Sequence, residues 1–123
     1  MAPDYILIHK SIASSFISCL LKSIKELFGE NPQESSHYCR IINDRHVARL
    51  EDIISSQKKS NPQTIIHGGR TDLADSYFEP TVLEGVEMDQ ETNPVMKDEI
   101  FGPILPVIEV DNVDEAISYV NSR

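Results

Sequence analysis

Residues 5–29 read YILIHKSIASSFISCLLKSIKELFG, and this segment predicts a strand followed directly by a helix. Tyr5 to His9 form a short continuous apolar run, which is typical of a strand buried on both faces in a parallel sheet. Ser11 offers an N-cap oxygen, and Gly29 stands where a C-cap glycine belongs. Between them, apolar side chains recur at helical spacing: Ile12, Phe16, Ile17, Leu20, Leu21, Ile24, Leu27 and Phe28.

The middle of the chain predicts a second helix and then extended segments. The helix runs from about Asp44 to Gln57, and its apolar face consists of Val47, Leu50, Ile53 and Ile54. A short strand at 64–67 is stopped by Gly68-Gly69. Residues 70–79 are polar and predict a loop, and a further extended segment covers 78–83.

The last part of the chain predicts a strand at Leu105–Val110 and a final helix. Pro106 lacks a backbone donor, so we expect it at the first residues of its strand or on an edge strand. Asn112 and Glu115 form a capping-box pair, and the apolar face of the helix is predicted to contain Val113, Ala116, Ile117 and Val120. Strands that alternate with helices predict an α/β fold, with a mostly parallel sheet flanked by helices.

Composition excludes several classes of function. The 123 residues carry a formal net charge of −9, which argues against nucleic-acid binding and against a polybasic membrane patch. No apolar run approaches the roughly 18 residues that a membrane span needs, and no signal peptide opens the chain. The expected location is therefore the cytoplasm.

Cysteine and histidine form no pattern that predicts a metal site. Cys19 lies in the apolar helical pattern and is predicted to be a small core residue, and nothing around Cys39 predicts a reactive thiol. The four histidines are predicted to be structural or surface residues: His9, His37, His46 and His67. Gly68-Gly69 lacks the context of a phosphate-binding loop and predicts a tight turn.

Residues 94–103, PVMKDEIFGP, place an acid, an aromatic residue and a Gly-Pro bend directly before the predicted strand. From composition alone, Phe101 would be a core residue and Glu99 a solvated charge. However, Glu-Ile-Phe-Gly-Pro at 99–103 resembles the signature segment of the aldehyde dehydrogenase superfamily. Further segments resemble the same family in register: Ala-Pro-Asp-Tyr-Ile at 2–6, which suggests its class 3-like branch, Arg40-Ile41-Ile42-Asn43 with His46, Gly68-Gly69, and Pro80-Thr81-Val82-Leu83.

The resemblance implies NAD(P)-dependent oxidation of an aldehyde substrate to a carboxylic acid, in a homo-oligomer, expected to be a dimer. It implies that Glu99 binds the nicotinamide-side ribose hydroxyls of NAD or NADP, because a carboxylate can accept hydrogen bonds from both of a vicinal pair. It also implies that Phe101 packs beside the same ribose. No catalytic residue and no metal ligand is assigned within the chain.

The sequence departs from the family's pattern at the beginning of the chain. The family's catalytic cysteine lies two residues before the residue matching Ala2, which is the place immediately before Met1. We therefore expect residues 1–123 to form a partial catalytic domain that is inactive alone and lacks the nucleotide-binding domain and the nucleophile segment. Neither Cys19 nor Cys39 matches the nucleophile's motif. Two alternatives remain: a truncated, non-catalytic chain that associates with a full-length partner, and a piece of a related reductase with an acyl intermediate.

Overall fold

The computed structural model of the chain describes residues 3–89 and 93–122. Two short 3₁₀ turns, at Pro32–Glu34 and Pro62–Thr64, accompany the main elements. The helices and strands follow one another in this order: β1 (Ile6–His9), α1 (Lys10–Phe28), α2 (Asp44–Ser60), β2 (Ile65–His67), β3 (Thr71–Asp72), β4 (Tyr77–Phe78), β5 (Thr81–Glu84), β6 (Ile104–Val110) and α3 (Val113–Ser122).

Four strands form the main sheet in the order β1-β6-β5-β2. β6 is parallel to β1, with Ile6 opposite Val107, and it is also parallel to β5, with Thr81 opposite Ile104. Only β2 is antiparallel to its neighbour, β5. The predicted α/β fold with a mostly parallel sheet is confirmed.

Helices cover both faces of this sheet. Val82 and Val107 pack with Ala13 and Ile17 of α1 on one face. Because successive residues of a strand point to opposite faces, the next residues along β5 and β6 reach the other core. That core combines residues of α2, α3, the strands and the segment before β6: Val47, Leu50, Ile54, Leu83, Ile100, Ile104, Ile108 and Tyr119.

β1 is less buried than its sequence predicts. It lies at the edge of the sheet, so Ile8 is buried but Ile6 and Leu7 are only half-buried. β6, in contrast, is an internal strand, and Pro106 is its third residue. The pairing with β1 begins at Val107, so Pro106 lies before β6 acquires its second neighbour, where a missing donor is tolerated.

α1 begins two residues earlier than predicted, at Lys10 instead of Ile12, and Ser11 is not its N-cap. His9 caps the helix instead, because its Nδ1 accepts a hydrogen bond from the backbone N–H of Ser11 at 3.2 Å. Gly29 is confirmed as the C-cap residue, with φ +80° and its N–H bonded to the Lys25 carbonyl at 2.9 Å. Cys19 is exposed and not a core residue. It lies two positions beyond the buried Ile17, about 200° around the helix.

α2 agrees with the prediction on its start and its apolar face. Asn43 caps it through Oδ1, which accepts from the His46 N–H at 3.0 Å. The helix continues to Ser60, three residues past the predicted end. Val47, Leu50 and Ile54 are buried.

The predicted loop at 70–79 contains a short β-hairpin, so that prediction is wrong. β3 and β4 pair antiparallel, with Thr71 opposite Phe78. The polar side chains that suggested a loop bond across to the segment after α1: Gln33 Nε2 donates to Asp72 and Asp75 at 3.0 Å each, and Arg40 pairs with Asp75.

α3 has the predicted cap but a different buried face. Asn112 Oδ1 accepts from the Glu115 N–H at 2.9 Å, and Glu115 Oε2 accepts from the Asp111 N–H at 2.6 Å. Tyr119 is the buried residue, and its ring meets Tyr5 edge-on at 5.6 Å. The predicted apolar face is largely exposed, with Val113, Ile117 and Val120 at 72%, 53% and 51%. Across the described part of the chain, none of the helices has the length and apolar character to cross a membrane.

Candidate functional site

At residues 97–102, just before β6, one buried side chain lies among exposed residues. Ile100 is only 2% exposed and packs in the core beneath α2. Glu99 and Phe101 flank it and are both exposed, Phe101 to 78%. One buried anchor therefore presents two outward side chains at a defined place on the surface. The prediction from composition that Phe101 belongs to the core is wrong.

Two side chains that are distant in sequence hold the backbone of this segment. The Ile100 N–H donates to Oδ1 of Asp4, which precedes β1, at 2.9 Å. From α2, the Nη2 of Arg49 donates to the Ile100 carbonyl at 2.7 Å and to the Phe101 carbonyl at 3.2 Å. The guanidinium carries a full charge, so these are charge-assisted bonds.

Phe101 has φ +49°, in the left-handed region. For a bulky aromatic residue this conformation is an outlier, and such outliers cost on the order of 1–3 kcal/mol. The next residue, Gly102, packs so closely that a Cβ would lie 2.4 Å from Cδ2 of Leu50. The surroundings thus impose a strained backbone on the residue with the exposed ring, and strain of this kind clusters at ligand sites.

Glu99 and Phe101 line a cleft of about 920 Å³ between α2 and the segment at 93–101. The wall from α2 consists of His46, Arg49, Asp52, Ile53 and Ser56, and the other wall includes Asn93, Pro94, Lys97 and Asp98. The Glu99 carboxylate forms no hydrogen bond or ion pair with any residue in 3–89 or 93–122. Its oxygens are therefore free to accept hydrogen bonds from a ligand's hydroxyl groups.

The cysteines take no part in this site. Cys19 and Cys39 are exposed, and neither lines the cleft. Within the ranges 3–89 and 93–122, the His, Cys, Asp and Glu side chains form no group of three or more that could hold a metal ion.

The histidines have separate places. His46 lies in the cleft wall and His9 caps α1, whereas His37 is exposed and far from Glu99 in sequence. His67 ends β2 just before the Gly68-Gly69 turn. Both glycines have positive φ, and a Cβ on Gly68 would lie 2.1 Å from the Pro80 carbonyl oxygen. These values require glycine at position 68, whereas the predicted tight turn stays a prediction.

Sequence reasoning missed the two residues that hold the segment. Asp4 lies in the Ala-Pro-Asp-Tyr-Ile match but was given no role, and Arg49 looked like an ordinary charge on an amphipathic helix. The sequence does contain a pattern that could have identified Arg49. One face of α2 carries four residues at helical spacing: His46, Arg49, Ile53 and Ser56. That face becomes the cleft wall.

The sequence profile of the aldehyde dehydrogenase family matches residues 1–123. The chain belongs to the aldehyde dehydrogenase family. Relatives named as family 3 members agree with the predicted class 3-like branch; one is aldehyde dehydrogenase family 3 member A2 of Pongo abelii, 46% identical over 123 residues. The dimeric NADP-preferring aldehyde dehydrogenase of Rattus norvegicus is 42% identical over the same length.

A solved aldehyde dehydrogenase supports the fold. Substrate-bound AldH of Staphylococcus aureus superposes with a TM-score of 0.88 at 40% identity, covering 99% of this chain and 25% of that one. The match covers the whole of this chain but 24% of the Pongo abelii protein and 25% of the rat protein. The chain thus spans about a quarter of the length of the aldehyde dehydrogenases that it resembles.

Proposed function

We propose that residues 1–123 form part of the catalytic domain of an NAD(P)-dependent aldehyde dehydrogenase and supply its contact with the nicotinamide-side ribose. The observation that carries the proposal is the pair of outward side chains, Glu99 and Phe101, on either side of the buried Ile100. Family membership supports the class of reaction, and the name of the rat relative, NADP-preferring, supports the cofactor class.

Glu99 has the properties that a ribose contact requires. Its carboxylate lines the cleft and has no partner within the described chain, so binding a ligand breaks no existing bond. Two carboxylate oxygens can accept from two adjacent hydroxyls at once, which fixes the orientation of a ribose ring. NAD or NADP, when bound, supplies the hydride acceptor, and the reaction oxidises an aldehyde to a carboxylic acid.

Phe101 contributes shape to the same site. Its ring is exposed within the cleft lining, and Arg49 fixes the carbonyl of the strained backbone that presents it. A flat apolar ring at that position can pack against a sugar face without competing for its hydroxyls. Orientation is the contribution of this segment, since hydride transfer depends steeply on the placement of the reacting groups.

The covalent step of the reaction has no residue in this cleft. Aldehyde oxidation through a thiohemiacetal needs an activated cysteine, and neither Cys19 nor Cys39 lines the cleft. We propose that the nucleophile, the general base and the nucleotide-binding domain lie outside residues 1–123. The proposed location is the cytoplasm, and the proposed assembly is a dimer, as in the name of the rat relative.

One observation favours a second candidate function, a non-catalytic chain that associates with a full-length partner. β1 is an edge strand, and α3 presents Val113, Ile117 and Val120 to the surface. Unpaired edges and apolar patches are the usual sites of association between chains.

The experiment compares Glu99→Gln with Asp98→Asn in a full-length dehydrogenase that carries residues 1–123. Both positions are exposed in the same cleft wall, and each substitution removes one charge. Loss of a charge-assisted hydrogen bond, about 1.5–3 kcal/mol, should lower single-turnover hydride transfer in Glu99→Gln about 10-fold or more, with an unchanged Tm. Equal rates in the two variants, or a large drop in Tm with an unchanged rate, would remove Glu99 from the site.

A further inference from the structure

A second cleft, of about 230 Å³, lies at the carboxyl-terminal end of α2. Gln57 and Ser60 belong to the last turn of the helix, and the remaining lining residues are Asn61, Thr64, Gly85, Glu87 and Asn93. Only Asn93 also lines the larger cleft. The ribose contact proposed above uses none of the others.

The amide of Gln57 is the unusual group in this cleft. The residue is only 2% exposed, and its Nε2 donates to Oγ1 of Thr64 at 3.0 Å. Its other atom, Oε1, is buried and has no hydrogen-bond partner among residues 3–89 and 93–122. A buried acceptor without a partner costs free energy, so this oxygen favours a ligand that carries positive charge or a donor.

The hydroxyl groups nearby cannot supply that donor. The Thr64 hydroxyl donates to the Asn61 carbonyl at 2.9 Å, and the Ser60 hydroxyl donates to the Gln57 carbonyl at 3.1 Å. Their hydrogens are committed to the backbone, so both groups present oxygen lone pairs. Together with Gln57 Oε1 they make a cleft in which oxygen acceptors predominate.

The charge around the cleft is negative. The last turn of a helix carries partial negative charge from its unpaired carbonyls, and Glu87 adds an exposed carboxylate residue to the lining. Lys58 and Lys59 lie in the same turn but do not line the cleft. The Nζ of Lys58 lies close to Gly69, which is not among the lining residues. Oxygen ligands with a single carboxylate suit a hard cation of low charge, whereas softer metals prefer nitrogen and sulfur ligands.

We propose that this cleft binds a monovalent cation, K⁺ or Na⁺, with Gln57 Oε1 as the buried ligand and Glu87 as the charged one. Such an ion would link the end of α2 to Glu87, which precedes Glu99 in the sequence. It would stabilise the protein without contacting substrate or cofactor.

The test is thermal unfolding of the whole protein in KCl, NaCl, CaCl₂ and choline chloride at constant ionic strength. At a K⁺ or Na⁺ concentration about ten times Kd, we expect a Tm about 3–5 °C above that in choline. Glu87→Gln and Gln57→Leu should abolish this difference and Gln57→Glu should enlarge it, whereas Glu109→Gln, an exposed glutamate outside the cleft, should retain it.

Three results would overturn the proposal. The first is an equal rise in Tm in all variants, which indicates a general salt effect. The second is a rise in Tm with Ca²⁺ alone. The third is an equal Tm in choline chloride, KCl and NaCl. Glu87 is exposed, so its variant keeps the test decisive even if substitutions of the buried Gln57 prevent folding. Anomalous scattering from Tl⁺ in crystals provides a direct measurement: a peak bonded to Gln57 Oε1 supports the site, and its absence at saturating Tl⁺ contradicts it.

Discussion

The Nη2 of Arg49 on α2 donates to the carbonyl oxygen of Phe101 at 3.2 Å, across 52 residues of sequence. The same nitrogen bonds the Ile100 carbonyl at 2.7 Å. One guanidinium therefore fixes two successive carbonyls of the segment that presents both Glu99 and Phe101. The geometry of the proposed cofactor contact thus depends on Arg49, a residue of α2 to which no part in the reaction itself is assigned.

Replacing Arg49 with Met should destabilise the protein by about 1–3 kcal/mol, because the Ile100 and Phe101 carbonyls lose their donor. Chemical denaturation measures this change in the free energy of unfolding. Arg45→Met on the same helix is the matched control, since Arg45 is exposed and its side chain forms no hydrogen bond or ion pair with residues 93–101. Equal destabilisation of the two variants would show that the stability lost in Arg49→Met comes from the helix itself and not from the hydrogen bonds to Ile100 and Phe101.

Replacing Phe101 with Asn should raise the free energy of unfolding by up to about 1 kcal/mol. Asn accepts positive φ at less cost than an aromatic residue, and the exposed Phe ring loses little burial. Phe101→Leu is the control, because it keeps the strain while shortening the side chain. A lower stability for the Asn variant than for the Leu variant would show that φ +49° is not a source of strain.

A protein consisting of residues 1–123 alone should show no aldehyde oxidation with NAD or NADP. The reason is the absence of a cysteine from the cleft. Formation of reduced nicotinamide, followed by absorbance with aliphatic and aromatic aldehydes, provides the measurement. The double variant Cys19→Ser, Cys39→Ser is the control for trace activity, and turnover that is lost in this variant would place a nucleophile within the chain.

The hairpin β3–β4 should loosen at acid pH. Hydrogen bonds from Arg40 and then Gln33 lower the pKa of Asp75 below its ordinary value of 3.8. A depressed folded-state pKa stabilises the fold above pH 3.8, and that contribution is lost as the pH falls through the lowered pKa. Asp75→Asn should remove this part of the pH dependence in amide-exchange or NMR measurements of Thr71–Phe78, and Asp98→Asn should not.

The 123-residue protein should self-associate through α3 and the edge of the sheet. Ile117→Lys should shift sedimentation towards monomer, because it places a charge in the exposed apolar face. Ser118→Lys, on the same helix and also exposed, adds the same charge beside that face and should have a smaller effect. A wild-type protein that is monomeric at all concentrations and unfolds in one sharp transition would contradict this prediction.

Local patterns were sufficient wherever short-range spacing determines the conformation. The helix that ends at Gly29, the helix capped by Asn43 and the cap of α3 at Asn112 and Glu115 each depend on hydrogen bonds between residues a few positions apart. Hydrogen bonds between residues so close in the chain can be predicted from the sequence alone. The same holds for the Glu-Ile-Phe-Gly-Pro segment, whose residues carried the family resemblance before any fold was known.

The buried face of each element could not be predicted in the same way, because it depends on the positions of elements that are distant in sequence. The helical pattern of α3 is compatible with burying Val113, Ile117 and Val120, but in the folded chain Tyr119 is the buried residue and meets Tyr5, which precedes β1. Cys19 is exposed because α1 meets the sheet through Ala13 and Ile17. Asp4, Arg49 and Phe101 come together only in the folded chain, since their hydrogen bonds span 96, 51 and 52 residues, distances over which no local spacing rule operates.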